Sequence, residues 1–207
     1  MIKAIILDFG SVIYKTKWEK INEFFYQKNG FNILFGKSED AELIRIYSES
    51  DVGKEDFKKF FLRLKPDLQD VDAAIKDYKE GYSKFKEINQ ELLDTIKELK
   101  EKGIILFGFT DAKKEHYDAN MEIGIYDGFE EIFTSFNFKC LKSDAKAFEL
   151  LTKRINEYGL NPEECLFIDD NLENVKRAKE KGYKIIHYQN FPEVEEIKKE
   201  LENIFVF

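Results

Sequence analysis

Short, largely apolar runs recur along the chain, and each is followed by a stretch in which apolar residues keep helical spacing. Runs of this length are typical of strands buried on both faces of a sheet. From residue 89 onward, runs and helical stretches alternate. This alternation predicts an α/β fold in which parallel strands are joined by right-handed helical crossovers. The predicted strands span residues 2–7, 104–109, 131–134, 165–168 and 184–187.

The helices between these strands are marked by their apolar faces and by their ends. In the first of them, apolar residues between 92 and 99 form one face, Asn89 is placed to cap the N-terminus, and Gly103 is placed to end the helix. The other predicted helices have apolar faces at residues 148–158, 175–178 and 194–201.

The first strand is not followed directly by its crossover helix. Residues 15–86 intervene, and their apolar residues form four stripes at helical spacing. We therefore predict a core made of residues 1–14 and 87–207, and a cap of four helices at 15–86 that is inserted after the first strand. The aromatic residues of the stripes are interpreted as helix packing. Candidate substrate contacts lie where cap and core meet, at Tyr14, Lys15, Lys17 and Trp18.

Composition narrows the possible partners. The 207 residues carry 33 Lys and Arg against 41 Asp and Glu, a formal net charge of −8. This balance argues against binding to nucleic acid or to an anionic lipid surface, because both require a basic face. No apolar stretch approaches the roughly 18 residues of a membrane span, and the N-terminus does not resemble a signal peptide. We expect a cytoplasmic protein; the sequence does not indicate an oligomeric state.

Polar side chains follow the predicted strands at the points where they end. Asp8 follows the first strand, Thr110 the second and the pair Asp169–Asp170 the fourth, while Lys142 lies shortly after the third. The carboxyl ends of parallel strands meet at one edge of the sheet, where ligands bind. Clustered carboxylates require a cation, and Mg²⁺ is the hard divalent ion that best fits a few carboxylates. With the lysine, such a site suits phosphoryl transfer through an aspartyl-phosphate.

These residues resemble the motifs of the haloacid dehalogenase-like (HAD) hydrolases over nearly the whole chain. The resemblance implies a Rossmann-like core with a C1-type cap. It implies that Asp8 is the nucleophile, and that Thr110 and Lys142 bind the phosphoryl oxygens. It further implies that Mg²⁺ is held by Asp8, by the Gly10 carbonyl and by the acidic fourth motif. In that motif, Asp170 would be the direct ligand and Asp169 would act partly through water.

Two positions depart from the pattern of the family's phosphatases. Gly10 stands where those enzymes carry a second aspartate, which acts as general acid and then as general base. Its loss removes a contribution of about 10²–10⁴ to the rate, and it favours substrates with good leaving groups, such as acyl phosphates or anomeric sugar phosphates. Asp111 stands where a neutral residue is commoner, and it either caps the loop or belongs to the site.

The sequence thus predicts Mg²⁺-dependent hydrolysis of a small phosphorylated metabolite. Two alternatives stay open. A metal-independent 2-haloacid dehalogenase would also lack the second aspartate, although the doubled acid at 169–170 counts against it. A phosphate-binding or interaction protein that has lost turnover is the other alternative, and Gly10 would then be the mark of that loss.

Overall fold

The structure is a computed structural model that describes residues 1–33 and 39–205. The parts of the predicted cap and core at 34–38 and 206–207 lie outside the described residues. The strands are β1 (Ala4–Leu7), β2 (Tyr14–Thr16), β3 (Lys86–Ile88), β4 (Ile105–Thr110), β5 (Glu131–Thr134), β6 (Cys165–Asp169) and β7 (Lys184–His187). The helices are α1 (Trp18–Asn29), α2 (Ala41–Asp51), α3 (Lys58–Leu64), α4 (Val71–Lys84), α5 (Gln90–Glu101), α6 (Lys114–Glu122), α7 (Ser135–Phe138), α8 (Ala145–Glu157), α9 (Leu172–Glu180) and α10 (Glu195–Ile204).

Five strands form one parallel sheet in the order β5-β4-β1-β6-β7, with β1 in the centre. Side chains alternate along β1: Ala4 and Ile6 pack with residues of α8 and α9, whereas Ile5 and Leu7 pack with residues of α5 and α10. Both faces of the sheet are therefore covered, as is usual for parallel sheets. This arrangement confirms the predicted Rossmann-like doubly wound class.

Helices α1 to α4 form a second layer with its own hydrophobic cluster. Phe25, Phe57, Phe60 and Phe61 are almost completely buried in it. Their rings meet edge-on, stacked or tilted at centroid distances of 5.1–5.6 Å. Burial of each such ring stabilises the fold by roughly 1.5–3 kcal/mol, so aromatic packing contributes substantially to the stability of this layer. Ala119 of α6 joins the same cluster and connects it to the sheet layer.

The cap segment is not helical throughout, which corrects the sequence prediction. At its two ends, β2 and β3 pair as an antiparallel ribbon, with Lys15 opposite Glu87. The chain leaves the sheet layer and returns to it at the same place, so the two connecting segments satisfy each other's backbone groups. Two apolar residues of the predicted helical stripes are not buried: Ile44 is 43% exposed and Trp18 is 39% exposed.

Among the helices within residues 1–33 and 39–205, none combines the length and apolar character needed to cross a membrane.

Candidate active site

The carboxyl edge of the sheet brings together the polar residues that follow the strands. Asp8 follows β1, and its backbone N–H donates to the carbonyl of Ile168 in β6 at 2.9 Å. Thr110 ends β4, and Asp169 ends β6. These residues line a cavity of about 570 Å³ between the sheet layer and helices α1 to α4. Gly10, Asp170 and Lys142 line the same cavity, so all six predicted site residues meet there.

Lys142 lies at the centre of the cluster. Its ammonium is buried and donates to Asp8 Oδ1 at 2.6 Å, to Asp169 Oδ2 at 2.7 Å and to the carbonyl of Phe109 at 3.2 Å. Burial alone would lower the pKa of Lys142, but the two carboxylates outweigh it and raise that pKa. The lysine is therefore a fixed positive charge beside Asp8.

The loop that carries Lys142 is held by two carboxylates. Asp111 accepts from the backbone N–H of Lys142 at 2.9 and 3.3 Å, and Asp144 caps the N-terminus of α8 through the N–H of Lys146. Of the two interpretations left open for Asp111, the structure shows loop capping, because its carboxylate accepts from the backbone of Lys142. Asp111 also borders the cavity.

Asp169 is completely buried and engaged on both oxygens. Besides Lys142, it accepts from the Asn171 backbone N–H at 2.8 Å and from the Asn174 amide at 3.2 Å to each oxygen. Asn171 also caps α9, which places Asn174 one turn later on the face toward the site. Asp170 is only half-buried and has a hydrogen bond from the Ser11 side chain. It thus has the more open carboxylate of the pair.

Three carboxylates come close enough to share a cation. Oxygens of Asp8, Asp169 and Asp170 all lie within 4.8 Å of one another. When all three carboxyls are ionised, they and the Lys142 ammonium carry a formal charge of −2. Burial, and then the charge of Asp169, raise the pKa of Asp8 to about 8 against the opposing effect of Lys142. Burial and Asp169 also raise the pKa of Asp170. An all-oxygen donor set with this excess charge fits a hard divalent cation.

The turn after β1 brings Gly10 to the cavity. The carbonyl of Phe9 accepts from the N–H groups of Ile13 and Tyr14 at 2.8 and 2.9 Å, and Ser11 adopts a left-handed conformation with φ of 58°. A Cβ at position 10 would meet no heavy atom within 4 Å. Absence of the second aspartate is therefore not imposed by crowding.

Thr110 is buried beside the cavity, with 4% of its surface exposed. Its hydroxyl has no hydrogen-bond partner within the part of the chain that the structure describes. The hydroxyl is thus available to a bound ligand.

The cap contributes residues that the sequence did not single out. Tyr47 and Asp51 of α2 and Tyr82 of α4 line the cavity together with His116 of α6. No sequence signal could have selected the first three, because each occupies an ordinary position in a helical stripe or at a helix end. Among the predicted contacts, Tyr14, Lys15 and Trp18 line the cavity; Lys17 does not, and it pairs with Glu87 at 3.1 Å.

The chain belongs to the haloacid dehalogenase-like hydrolases, because residues 2–182 match that family. A curated relative is the enolase-phosphatase E1 of Aquifex aeolicus, which is 28% identical over 202 residues, covering 90% of this chain and 89% of the relative.

Solved structures share the fold. A HAD family enzyme from Bacteroides thetaiotaomicron, in complex with magnesium and inorganic phosphate, superposes with a TM-score of 0.74 at 19% identity, covering 95% of this chain and 99% of that one. A HAD-like family hydrolase from Porphyromonas gingivalis gives a TM-score of 0.73 at 21% identity, with coverage of 97% and 98%. Their likeness supports the two-layer architecture described above.

Proposed function

We propose that this hydrolase cleaves a small phosphate monoester through an aspartyl-phosphate on Asp8, with Mg²⁺ as cofactor. The observation that carries the proposal is the buried Lys142 ammonium, which touches both Asp8 and Asp169 at 2.6–2.7 Å beside a third carboxylate. This arrangement supplies a nucleophile, an anion-binding cation and a set of metal ligands in one cavity.

The metal would be held by Asp8, the Gly10 carbonyl and Asp170, with Asp169 behind them. Bound there, Mg²⁺ would neutralise the excess negative charge and would allow an anionic phosphoryl group to approach a carboxylate. Asp169 already accepts hydrogen bonds from Lys142, Asn171 and Asn174. This favours direct ligation of the metal by Asp170 and an indirect role for Asp169.

The protein's own residues supply the remaining steps. A carboxylate oxygen of Asp8 attacks phosphorus, the bond between phosphorus and the leaving oxygen breaks, and that oxygen keeps the electron pair. Thr110 and Lys142 hold the phosphoryl oxygens, where fixed donors in a site that excludes water are most effective. Water then attacks the phosphorus of the aspartyl-phosphate, which releases inorganic phosphate and restores Asp8. Residues 15–86 would cover the reaction as a cap.

Gly10 provides no side chain to protonate the leaving group. The reaction should therefore favour leaving groups that are stable as anions, and slow down for simple alkyl phosphates by a factor of about 10²–10⁴. The similarity to an enolase-phosphatase and the fold shared with a magnesium and phosphate complex add support for a phosphatase.

The test is phosphate release from a panel that includes acetyl phosphate, a hexose 1-phosphate and an alkyl phosphate, each with Mg²⁺ and with EDTA. We expect Mg²⁺-dependent release that is lost in Asp8→Asn, a substitution that keeps the size of the side chain. Release that survives Asp8→Asn would contradict the assigned nucleophile.

Gly10 also favours a second candidate, a phosphate-binding protein without turnover. In that case Mg²⁺ and phosphate together would raise the melting temperature, and none of the panel would be hydrolysed at any enzyme concentration.

A further inference from the structure

Aromatic side chains make up much of the cavity wall on the cap side. Trp18, Tyr47 and Tyr82 come from the cap helices, Tyr14 comes from β2, and His116 comes from α6. Within the part of the chain that the structure describes, Leu141 is the aliphatic residue of this lining. Such a wall offers a ligand aromatic surface for packing.

Two of these rings are stacked on each other, and the Trp18 ring packs against both at angles of 44° and 49°. His116 and Tyr82 lie parallel, with centroids 4.0 Å apart and an angle of 5° between their planes. Trp18 lies 5.8 Å from Tyr82 and 5.7 Å from His116. A bond of 2.6 Å between His116 Nε2 and the Tyr78 hydroxyl fixes the imidazole. Trp18 nevertheless remains 39% exposed, so part of its ring is free to receive a ligand.

The charges of the wall favour a ligand whose organic part is uncharged. Asp111 adds a carboxylate to those of Asp8, Asp169 and Asp170, whereas the charge of Asp51 is balanced by an ion pair. The Lys113 ammonium behind the wall is paired with Asp51 at 2.6 Å. Of the described cationic side chains that line the cavity, Lys142 is engaged at the floor, and Lys15 is an exposed side chain lying over the ring of Phe191.

We propose that the substrates are phosphate esters of an uncharged, planar, conjugated alcohol, that is, aryl phosphates whose ring packs on Trp18 and the stack behind it. The proposal rests on the hydrolase function above and names the substrate class for that site. The cavity of about 570 Å³ lies in the range of pockets that hold small ligands.

The same substrate class accounts for Gly10. When Asp8 displaces a phenolic oxygen, the electron pair of the broken P–O bond stays on that oxygen and is delocalised into the ring. No proton has to be supplied during this step, and the phenolate takes one from water after it leaves. One ligand chemistry therefore suits both the aromatic wall and the missing general acid.

The test separates binding from turnover. Phenylphosphonate and methylphosphonate, which are not hydrolysed, are titrated into the Mg²⁺-loaded protein by calorimetry. Trp18 is the only tryptophan of the chain, so its fluorescence reports on ring contact at this wall. We expect phenylphosphonate to bind about 3- to 10-fold more tightly and to change the tryptophan emission.

The variants are Trp18→Leu, Trp18→Phe and Tyr26→Leu. Tyr26 is a matched control because it lies on the same helix, is 51% exposed and does not line the cavity. Trp18→Leu should remove the preference for phenylphosphonate, Trp18→Phe should retain most of it, and Tyr26→Leu should leave it unchanged. In turnover, Trp18→Leu should raise KM about 3- to 10-fold for phenyl phosphate and less than 2-fold for acetyl phosphate.

Equal binding of the two phosphonates, or equal effects of Trp18→Leu on both substrates, would overturn the aryl proposal while leaving the hydrolase function intact. A preference for phenylphosphonate without hydrolysis of any phosphate would overturn the hydrolase function and keep the ligand class.

Discussion

Gly10 is one of the two positions at which this site departs from the pattern of the family's phosphatases, and the space around it is open. Because no heavy atom lies within 4 Å of a Cβ at this position, we expect Gly10→Asp to fold and to place a carboxyl group beside Asp8. Hydrolysis of an alkyl phosphate should rise by up to about 10²-fold, since general acid catalysis is typically worth 10²–10⁴. Steady-state kcat with Mg²⁺ measures this directly.

Gly10→Asn is the matched control, since it adds the same volume without a titratable proton. Its activity should stay at the level of the parent. A gain for acetyl phosphate as large as the gain for the alkyl ester would contradict the leaving-group argument, because a good leaving group needs no acid.

Helix α2 and the loop after β4 meet in a buried ion pair. The Lys113 side chain is completely buried, lies 3.3 Å from the centre of the Tyr47 ring and pairs with Asp51, which is 28% exposed. Removing the carboxylate leaves a buried cation, whereas removing the cation leaves a carboxylate that water can reach. We expect Asp51→Asn to lower the free energy of unfolding by about 3 kcal/mol and Lys113→Met by about 1–2 kcal/mol, measured by urea unfolding.

The neighbouring pair Lys114–Asp118 provides the control, because it has the same 2.6 Å distance with 65% and 33% of its side chains exposed. Lys114→Met should cost less than about 0.5 kcal/mol. A larger loss of unfolding free energy for Lys113→Met than for Asp51→Asn would contradict the argument that the buried cation is the more costly partner to leave unpaired.

Helices α4 and α6 meet at His116, whose Nε2 contacts the Tyr78 hydroxyl at 2.6 Å. Burial, followed by the charges of Lys113 and Lys86, holds the pKa of His116 well below its usual range. Below pH about 6.5, His116 binds a proton in the unfolded chain but stays neutral in the folded protein. The free energy of unfolding should therefore decrease as the pH is lowered through that range, by up to about 1.4 kcal/mol per pH unit.

Urea unfolding between pH 7 and pH 5 measures this slope. His116→Phe, which keeps a ring against Tyr82, should flatten it relative to the parent. An unchanged slope would show that other groups cause the acid sensitivity.

The elements of the sheet layer could be predicted from the sequence because each signal is local. The apolar run at 165–168 and the Asn89 cap depend on residues within one turn or one strand. The ribbon of β2 and β3 could not be predicted in this way. Its strands are three residues long and lie about seventy residues apart, and pairing over that distance has no local pattern.

For the whole molecule, the excess negative charge of the site predicts that removing a carboxylate stabilises the metal-free protein and weakens metal binding. Asp170→Asn removes one carboxylate from a cluster that carries a formal −2, so the metal-free protein should melt about 2–4 °C higher, which corresponds to about 1 kcal/mol. The same variant should lose the stabilisation by Mg²⁺, which for the parent is about 2.7 kcal/mol at 100 times Kd.

Calorimetric melting with EDTA and with Mg²⁺ tests both parts. Glu101→Gln on the exposed side of α5 is the control for charge alone. A metal-free Asp170→Asn protein that melts lower than the parent would contradict the proposed repulsion.

The cluster of Asp8, Thr110, Lys142 and Asp169 could be predicted because the sheet itself carries three of these residues to one edge. The cap wall could not, since the placement of Tyr47 or Tyr82 over that edge depends on how two layers dock. The sequence contains the spacing within each helix, but not the contacts between the two layers, such as that between Lys113 and Asp51.

The paired ribbon has a consequence for how such proteins diversify. Lys15 and Glu87 lie side by side, so the inserted segment begins and ends at neighbouring points, and a segment of different length could be grafted there without disturbing the sheet. Under the proposed function, the site residues of the sheet layer and the lining residues of the inserted segment would then be separately inheritable parts. New specificities could arise by exchange of the inserted segment while Asp8 and Lys142 stay in place.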